Sequence, residues 1–437
     1  MQIRKILKNS IVKNSAWIMA GKIVHMLLSF VVGLLTARYL GPSNYGILGY
    51  AAAYTTFFTV FCTLGINSII VKEMIDHPEE QGGFLGTTIV LRVVSSFLSL
   101  GLIAMIARVV NGDDKLTIAV VTLFSVSLVF QSFDSFRQWF QCRLMSKYYA
   151  IATTVSYIAV SAYRIYLLAT ARDVIWFAIA NSIDYLIVAV VLYLFYKKNK
   201  GPKLAFSWAK GRHLLSLSFS YILSGLMVEI FASTDRFMLK HMLDTATVGY
   251  YTLSVTISAM WVFVISAIIE SMFPSIMEYH NSQKALYLRA NRRLYAIVFY
   301  VSIFASAFIC LIGPLFIRIV YGEAYLPAVS SLRVIVWYVA FSYLGVARDA
   351  WIVCERKQKY LKYIYLGAAI VNVGINALLI PIWGTVGAAA ASLLTQFSTV
   401  FVFPLLFREL RPNVRLMMEG ILLRGVFDRE KEGDDFA

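Results

Sequence analysis

A succession of long apolar runs, each too long and too uniform to hide in a soluble core, constrains this chain more than any other feature. A helix needs roughly 20 mostly apolar residues to cross about 30 Å of hydrocarbon. Such runs lie at about 15–37, 45–69, 85–108, 116–136, 148–170, 174–196, 215–237, 248–273, 294–318, 328–351, 361–381 and 384–407. They are continuous rather than alternating, so they read as helices and not as barrel strands. The expected fold class is an all-α integral membrane protein with 12 transmembrane helices. Composition agrees: 59% of the residues are hydrophobic and 15% charged, against about 45–50% and 25% in soluble domains. That balance excludes a soluble enzyme, a disordered chain and a disulfide-stapled secreted domain.

The cations give an orientation. The basic start, MQIRKILKNSIVKNS, precedes an apolar stretch too long for a signal-peptide core, which is expected to stay as the first span. With that start inside, the inner loops collect Arg137, Arg143 and Lys147, then Lys197 to Arg212, then Lys284 to Arg293 and Arg356 to Lys362. The outer loops hold only Arg38, Arg108, Lys115, Arg172, Lys240 and Arg318. This asymmetry predicts a multi-pass protein of the bacterial or archaeal cell membrane with both termini cytoplasmic. It also accounts for the net charge of +16, so no nucleic-acid partner is expected. The cysteines (Cys62, Cys142, Cys310, Cys354) show no paired or metal-binding spacing and read as free thiols.

The longest inner loop divides the chain, and a weak internal repeat supports the division. Placed 204 residues apart, the first and seventh runs match at Ile18/Ile222, Gly21/Gly225, Val24/Val228, Ser29/Ser233 and Leu35/Leu239. Two parallel halves around a shared site are a known transporter plan. The expected domains are a six-helix bundle at 1–200, a basic cytoplasmic linker at 201–213, a second six-helix bundle at 214–407 and a cytoplasmic tail at 408–437. Within the tail, 412–427 reads as a short interfacial amphipathic helix.

No catalytic signature is present: there is no phosphate-binding loop, no HExxH and no GxSxG. The chain is expected to be neither an enzyme nor dependent on a cofactor. Chemistry therefore falls to the ionisable residues within the apolar runs, where a charge costs roughly 2.5–3.5 kcal/mol to insert and usually serves a purpose. The cations are Lys22, Arg92, Arg164, Arg236, Arg333 and Arg348, with His25 beside Lys22. Lys22, His25 and Ser29 share one helical face. Arg333 and Arg348 lie near span ends, where an arginine can snorkel. Asp184 and Glu229 lie near mid-span and are candidates for H⁺ or Na⁺ coupling, or for holding a neighbouring cation in place. Pro274, Pro314, Pro381 and Pro404 could bend spans, and Gly384, Gly387, Ala388 and Ala391 form a small-residue packing face.

Four segments carry a family likeness: ARYLGPSNYGILGY at 37–50, STDRFMLKHMLDTATVGYY at 233–251, VYGEAYLPAVSSLRVI at 320–335 and IPIWGTVGAAAASLLTQ at 380–396. Through them the chain resembles the O-antigen and capsule repeat-unit flippases of the multidrug/oligosaccharidyl-lipid/polysaccharide exporter superfamily. The resemblance implies two pseudo-symmetric bundles around a cationic lumen. It also implies movement of an undecaprenyl-pyrophosphate-linked oligosaccharide to the outer leaflet without ATP, for surface polysaccharide synthesis. In that reading Lys22, His25, Arg92, Arg164, Arg236 and Arg348 line the substrate site, with Arg236 in the DR pair as the motif-linked position. The partners would be the lipid-linked oligosaccharide, the bilayer and other glycan-assembly membrane proteins. Two transport alternatives are a drug/cation antiporter, against which Lys22 argues, and a peptidoglycan-precursor flippase, against which twelve spans rather than fourteen count. Outside transport stands a membrane scaffold or polymerase subunit of a glycan assembly complex, which the short outer loops disfavour.

Overall fold

The computed structural model describes residues 10–426, with side chains from Phe30 onward except at Ser68, Ser220, Ser224 and Asn281. Every regular element among them is helical. That follows from the solvent: hydrocarbon offers no hydrogen bonds, so each segment must pair its own backbone groups, and a helix does so. Among the described residues ten helices are long and apolar enough to cross a membrane, or eleven if one bent pair counts as a span. The chain divides into two compact units, Met1–Phe237 and Met238–Ala437.

The first unit begins with α1 (Ser10–Thr63), which is two helices meeting at Gly41. Gly41 holds φ 70 and ψ 172, a conformation open to glycine because it lacks Cβ, and Pro42 then brings no N–H to continue the ladder. The expected first and second spans lie on either side of this break. Next come α2 (Asn67–Asp76), α3 (Gln81–Asn111), then α4 (Lys115–Ser125), α5 (Ser127–Gln131) and α6 (Ser135–Cys142), which together make the expected fourth span. The helices α7 (Lys147–Ala169) and α8 (Val174–Lys198) follow, then α9 (Trp208–Met242), whose last turn belongs to the second unit. Trp208–Phe219 and Tyr221–Met242 meet at 50°. The core of this unit, including Ile66, Ile70, Met74, Phe84, Phe136, Trp139 and Phe140, gathers at the end that bears the basic loops.

The expected linker is ordered along α3. Ala205 N–H donates to the Gly82 carbonyl at 3.2 Å and Ser207 N–H to Thr87 Oγ1 at 2.9 Å. Tyr196 donates its hydroxyl to the Pro202 carbonyl. Lys210 Nζ stands 2.6 Å from the Glu80 carboxylate and over the Phe84 ring. Glycine is required for this approach: a Cβ on Gly82 would meet Lys203 O at 2.2 Å, and one on Gly86 would meet Ala205 O at 2.6 Å.

In the second unit the expected eighth span is two helices, α10 (Thr245–Ala259) and α11 (Val262–Ser282). Asp244 caps α10, accepting from Thr247 N–H at 2.7 Å. The Thr247 N–H and hydroxyl hold its carboxyl below the usual range. There follow α12 (Lys284–Phe316), α13 (Ala328–Ile335), α14 (Tyr338–Cys354), α15 (Leu361–Trp383), α16 (Thr385–Phe397), α17 (Phe403–Leu405) and α18 (Arg411–Ile421). Pro274, Pro314 and Pro381 stay within helices, while π-helical stretches at Ile317–Tyr321 and Ser398–Val402 sit close to Pro314 and Pro404. Gly387, Ala388 and Ala391 are buried, as a packing face requires. The tail does form an amphipathic helix, and α18 packs on α12: Arg292 reaches Glu419 at 2.7 Å and Asn413 donates to Tyr295 Oη at 2.7 Å. Burial alone would raise the Glu419 carboxyl, but Arg292 and Arg415 outweigh it and hold it below the usual range.

Candidate functional site

The arginines within the apolar runs fall into two kinds. Arg92, on α3, and Arg348, on α14, are each only 1% exposed. Arg92 donates to Ser135 Oγ at 3.0 Å, to Asn67 Oδ1 at 2.7 Å and to the Thr63 carbonyl at 3.1 Å. Thr63 ends α1, so its carbonyl lacks the i+4 helical partner; Ile66 N–H reaches it at 3.2 Å and the guanidinium supplies a second donor. Arg348 does the same in the second unit. It donates to the Thr399 carbonyl at 2.9 Å, inside a π-helical stretch where the ordinary i→i+4 pattern is lost. In this conformation both arginines are taken up by the protein.

Arg164 and Arg236 are different. All four arginines keep a buried Nε without a hydrogen-bond partner among the described residues, but Arg164 and Arg236 are only half-buried, and no hydrogen bond from their terminal nitrogens to a described residue holds them as it holds the other two. On α9, Glu229, Ser233 and Arg236 follow i, i+4, i+7 spacing and share one face. Glu229 Oε2 and Ser233 Oγ are also buried without partners among the described residues. Glu229 and Arg236 feel each other's charge, yet no hydrogen bond or ion pair joins them among the described residues. An unpaired buried polar atom costs about 1–3 kcal/mol, and three of them, on Glu229, Ser233 and Arg236, share one face of α9.

Neighbouring groups complete the surroundings in the first unit. Asp184, on α8, accepts from the Ser156 hydroxyl of α7, which also donates to the Asp184 backbone carbonyl at 2.8 Å. Tyr157, Asp184 and Tyr45 act electrostatically on Arg164. The C-terminal half of α9 rests on the second span through Phe237, whose ring lies 4.8 Å edge-on from Tyr54 and 5.7 Å from Tyr50. Gly225 faces Val60 further along the same contact. The structure thus places Arg164, Asp184, Glu229 and Arg236 in one unit, and Arg348 in the other. The side chains of Lys22 and His25 lie outside the described residues. Ser156 and the aromatic wall escaped the sequence reading, because nothing in their local pattern separates them from ordinary span residues.

The family described as polysaccharide biosynthesis protein matches residues 11–280. An uncharacterized membrane protein of Methanocaldococcus jannaschii is 23% identical over 426 residues, covering 90% of this chain and 97% of that one. Among solved structures, the lipid II flippase MurJ in an inward closed conformation gives a TM-score of 0.70 at 14% identity, over 94% of this chain and 90% of that one. An inward-facing multidrug resistance MATE family transporter of the MOP superfamily gives 0.67 at 14% identity, over 90% of this chain and 96% of that one. At those identities the likeness speaks for the fold alone: the helical architecture is similar to that of these two transporters.

Proposed function

We propose that this chain, which belongs to the polysaccharide biosynthesis protein family, is a flippase for a polyprenyl (undecaprenyl) pyrophosphate-linked oligosaccharide. It carries the repeat unit from the inner to the outer leaflet for surface polysaccharide such as O-antigen or capsule. The observation that carries this reading is the set of unpaired polar atoms on Arg164, Glu229, Ser233 and Arg236. A pyrophosphate offers acceptors and negative charge to the two guanidinium groups, which bind it more tightly than neutral donors would. Lys22 and His25 extend the positive field, while Arg92 and Arg348 act at one remove by fixing the helices around them.

The sugars occupy the wetted lumen and the polyprenyl tail remains in the bilayer. Rocking of the 1–200 bundle against the 214–407 bundle, with 201–213 between them, exposes the site to each side in turn. Both termini and the 408–437 tail face the cytoplasm of a bacterial or archaeal cell. Direction comes from H⁺ or Na⁺ coupling through Asp184 or Glu229, or from consumption of the product outside by other glycan-assembly proteins. No enzymatic step, cofactor or nucleic acid enters the scheme. The unpaired Glu229 oxygen favours a second reading, an ion-coupled drug/cation antiporter.

The deciding experiment uses the native host with this gene deleted and the upstream sugar transferases intact. Polyprenyl-linked oligosaccharides are extracted with wild type, Lys22→Ala or Arg236→Ala supplied back. The completed repeat unit should accumulate on the cytoplasmic face, relieved by wild type but not by normally expressed Arg236→Ala. Accumulation of the peptidoglycan precursor instead transfers the reading to a lipid II flippase. No accumulation of either, with surface glycan unchanged, favours the antiporter.

A further inference from the structure

On the second unit, α12 and the residues that follow α18 enclose an open groove of about 490 Å³, lined by Arg293, Ile297, Tyr300, Val301, Leu423 and Val426. Two hydrogen bonds build its wall: Arg293 Nε donates to the Val426 carbonyl at 3.0 Å, and the Tyr300 hydroxyl donates to the Ile421 carbonyl at 2.8 Å. Arg293 is exposed, and its two terminal nitrogens have no partner among the described residues. From Ile297 and Tyr300 the exposed side chains continue through Phe304, Phe308 and Leu311 at spacings of three or four. This stripe is a lipid-facing surface, because α12 is one of the helices long and apolar enough to span. The groove is therefore the foot of that stripe, with an apolar floor and a cation at the end nearest the basic residues Arg289 and Arg292.

We propose that the groove holds one anionic membrane phospholipid, its phosphate at Arg293 and an acyl chain along Ile297 and Tyr300 toward Phe304. Charge complementarity selects this occupant over a zwitterionic lipid. On α18 the one carboxylate, Glu419, is already engaged by Arg292 and Arg415, so it does not neutralise Arg293. Arg424 adds a second exposed cation in the same short segment. Basic pockets on spanning helices recognise anionic headgroups in this way. The lipid staples α18 to α12, whatever the chain transports.

The test is native mass spectrometry of the full-length protein, released from nanodiscs containing equal phosphatidylglycerol and phosphatidylcholine. Wild type should retain phosphatidylglycerol about fivefold over phosphatidylcholine, the preference one cation supplies near a membrane surface. Arg293→Gln should abolish the preference, and Ile297→Trp, which fills the groove, should remove both lipids. Tyr300→Phe loses one hydrogen bond of the wall but no charge and should keep the preference, separating lipid recognition from simple loosening of the tail. Equal retention of the two lipids by wild type, or an unchanged preference in Arg293→Gln, overturns the proposal. So does a gain in bound lipid on deleting residues 428–437, which would make the chain's own end the occupant.

Discussion

Arg92 and Arg348 sit in different units and do the same work, whereas Arg92 and Arg236 share a unit and do opposite work. The first two donate from their guanidinium groups to carbonyls at a helix end and in a π-helical stretch. The third donates to no described residue and shares its helix face with an unpaired serine and glutamate. A charge inside a membrane bundle is therefore not by itself a binding group. What decides is whether the protein has already spent its hydrogen-bonding capacity.

That contrast can be broken at several points. The largest effect belongs to Arg92→Ala, which removes three hydrogen bonds from a charged donor, to the Thr63 carbonyl, Asn67 and Ser135, each worth about 1.5–3 kcal/mol. Thermal unfolding in detergent should show the variant severely destabilised, and little of it should reach the membrane. A folded Arg92→Ala that simply fails to transport would put Arg92 among the cargo-binding groups. Next comes Arg236→Ala, which removes no protein partner. It should keep the melting temperature of wild type while transport falls about ten- to a hundredfold, the worth of one charged hydrogen bond. A loss of stability as large as that of Arg92→Ala would erase the distinction between the two kinds of arginine.

Arg348→Ala should be milder than Arg92→Ala, about 1–3 kcal/mol, because the stranded group is one backbone carbonyl. The smallest effect is at the rim of the second unit, where Arg292 and Arg415 meet Glu419 in partial contact with water. The native carboxyl titrates lower than in the unfolded chain, where it lies near about 4.3. Its contribution to docking α18 is thus complete above that value and is lost as pH falls through the lower native one. Limited proteolysis of the tail should stay flat from neutral pH to about pH 5 and rise only under stronger acid. Cleavage that climbs already between pH 7 and 5 would assign the docking to another group.

Much of the fold was legible because a bilayer imposes length and apolarity on every span, and those are local properties. The Gly41–Pro42 break was also written locally, as two residues that cannot continue a helix together. The amphipathic tail helix was legible for the same reason, although its partner α12 was not. The sorting of the arginines was hidden, because it is a long-range fact. The acceptors of Arg92 lie 25, 29 and 43 positions away, and that of Arg348 lies 51 away. The division of the eighth span into α10 and α11 carried no glycine or proline at Met260 or Trp261 to announce it. Arg164, Glu229 and Arg236 were found from charge within apolar runs, but only packing reveals that their polar atoms remain unpaired.

The segment between α8 and α9 has a mechanical consequence. A loose tether would let the foot of α9 wander without disturbing its neighbours. Here Gly82 and Gly86 bring the extended stretch carrying Lys203 and Ala205 against the backbone of α3, and Lys210 closes on Glu80. The connection has no slack, so it works as a strut: any displacement at the start of α9 is delivered to the first turns of α3 before it is felt anywhere else.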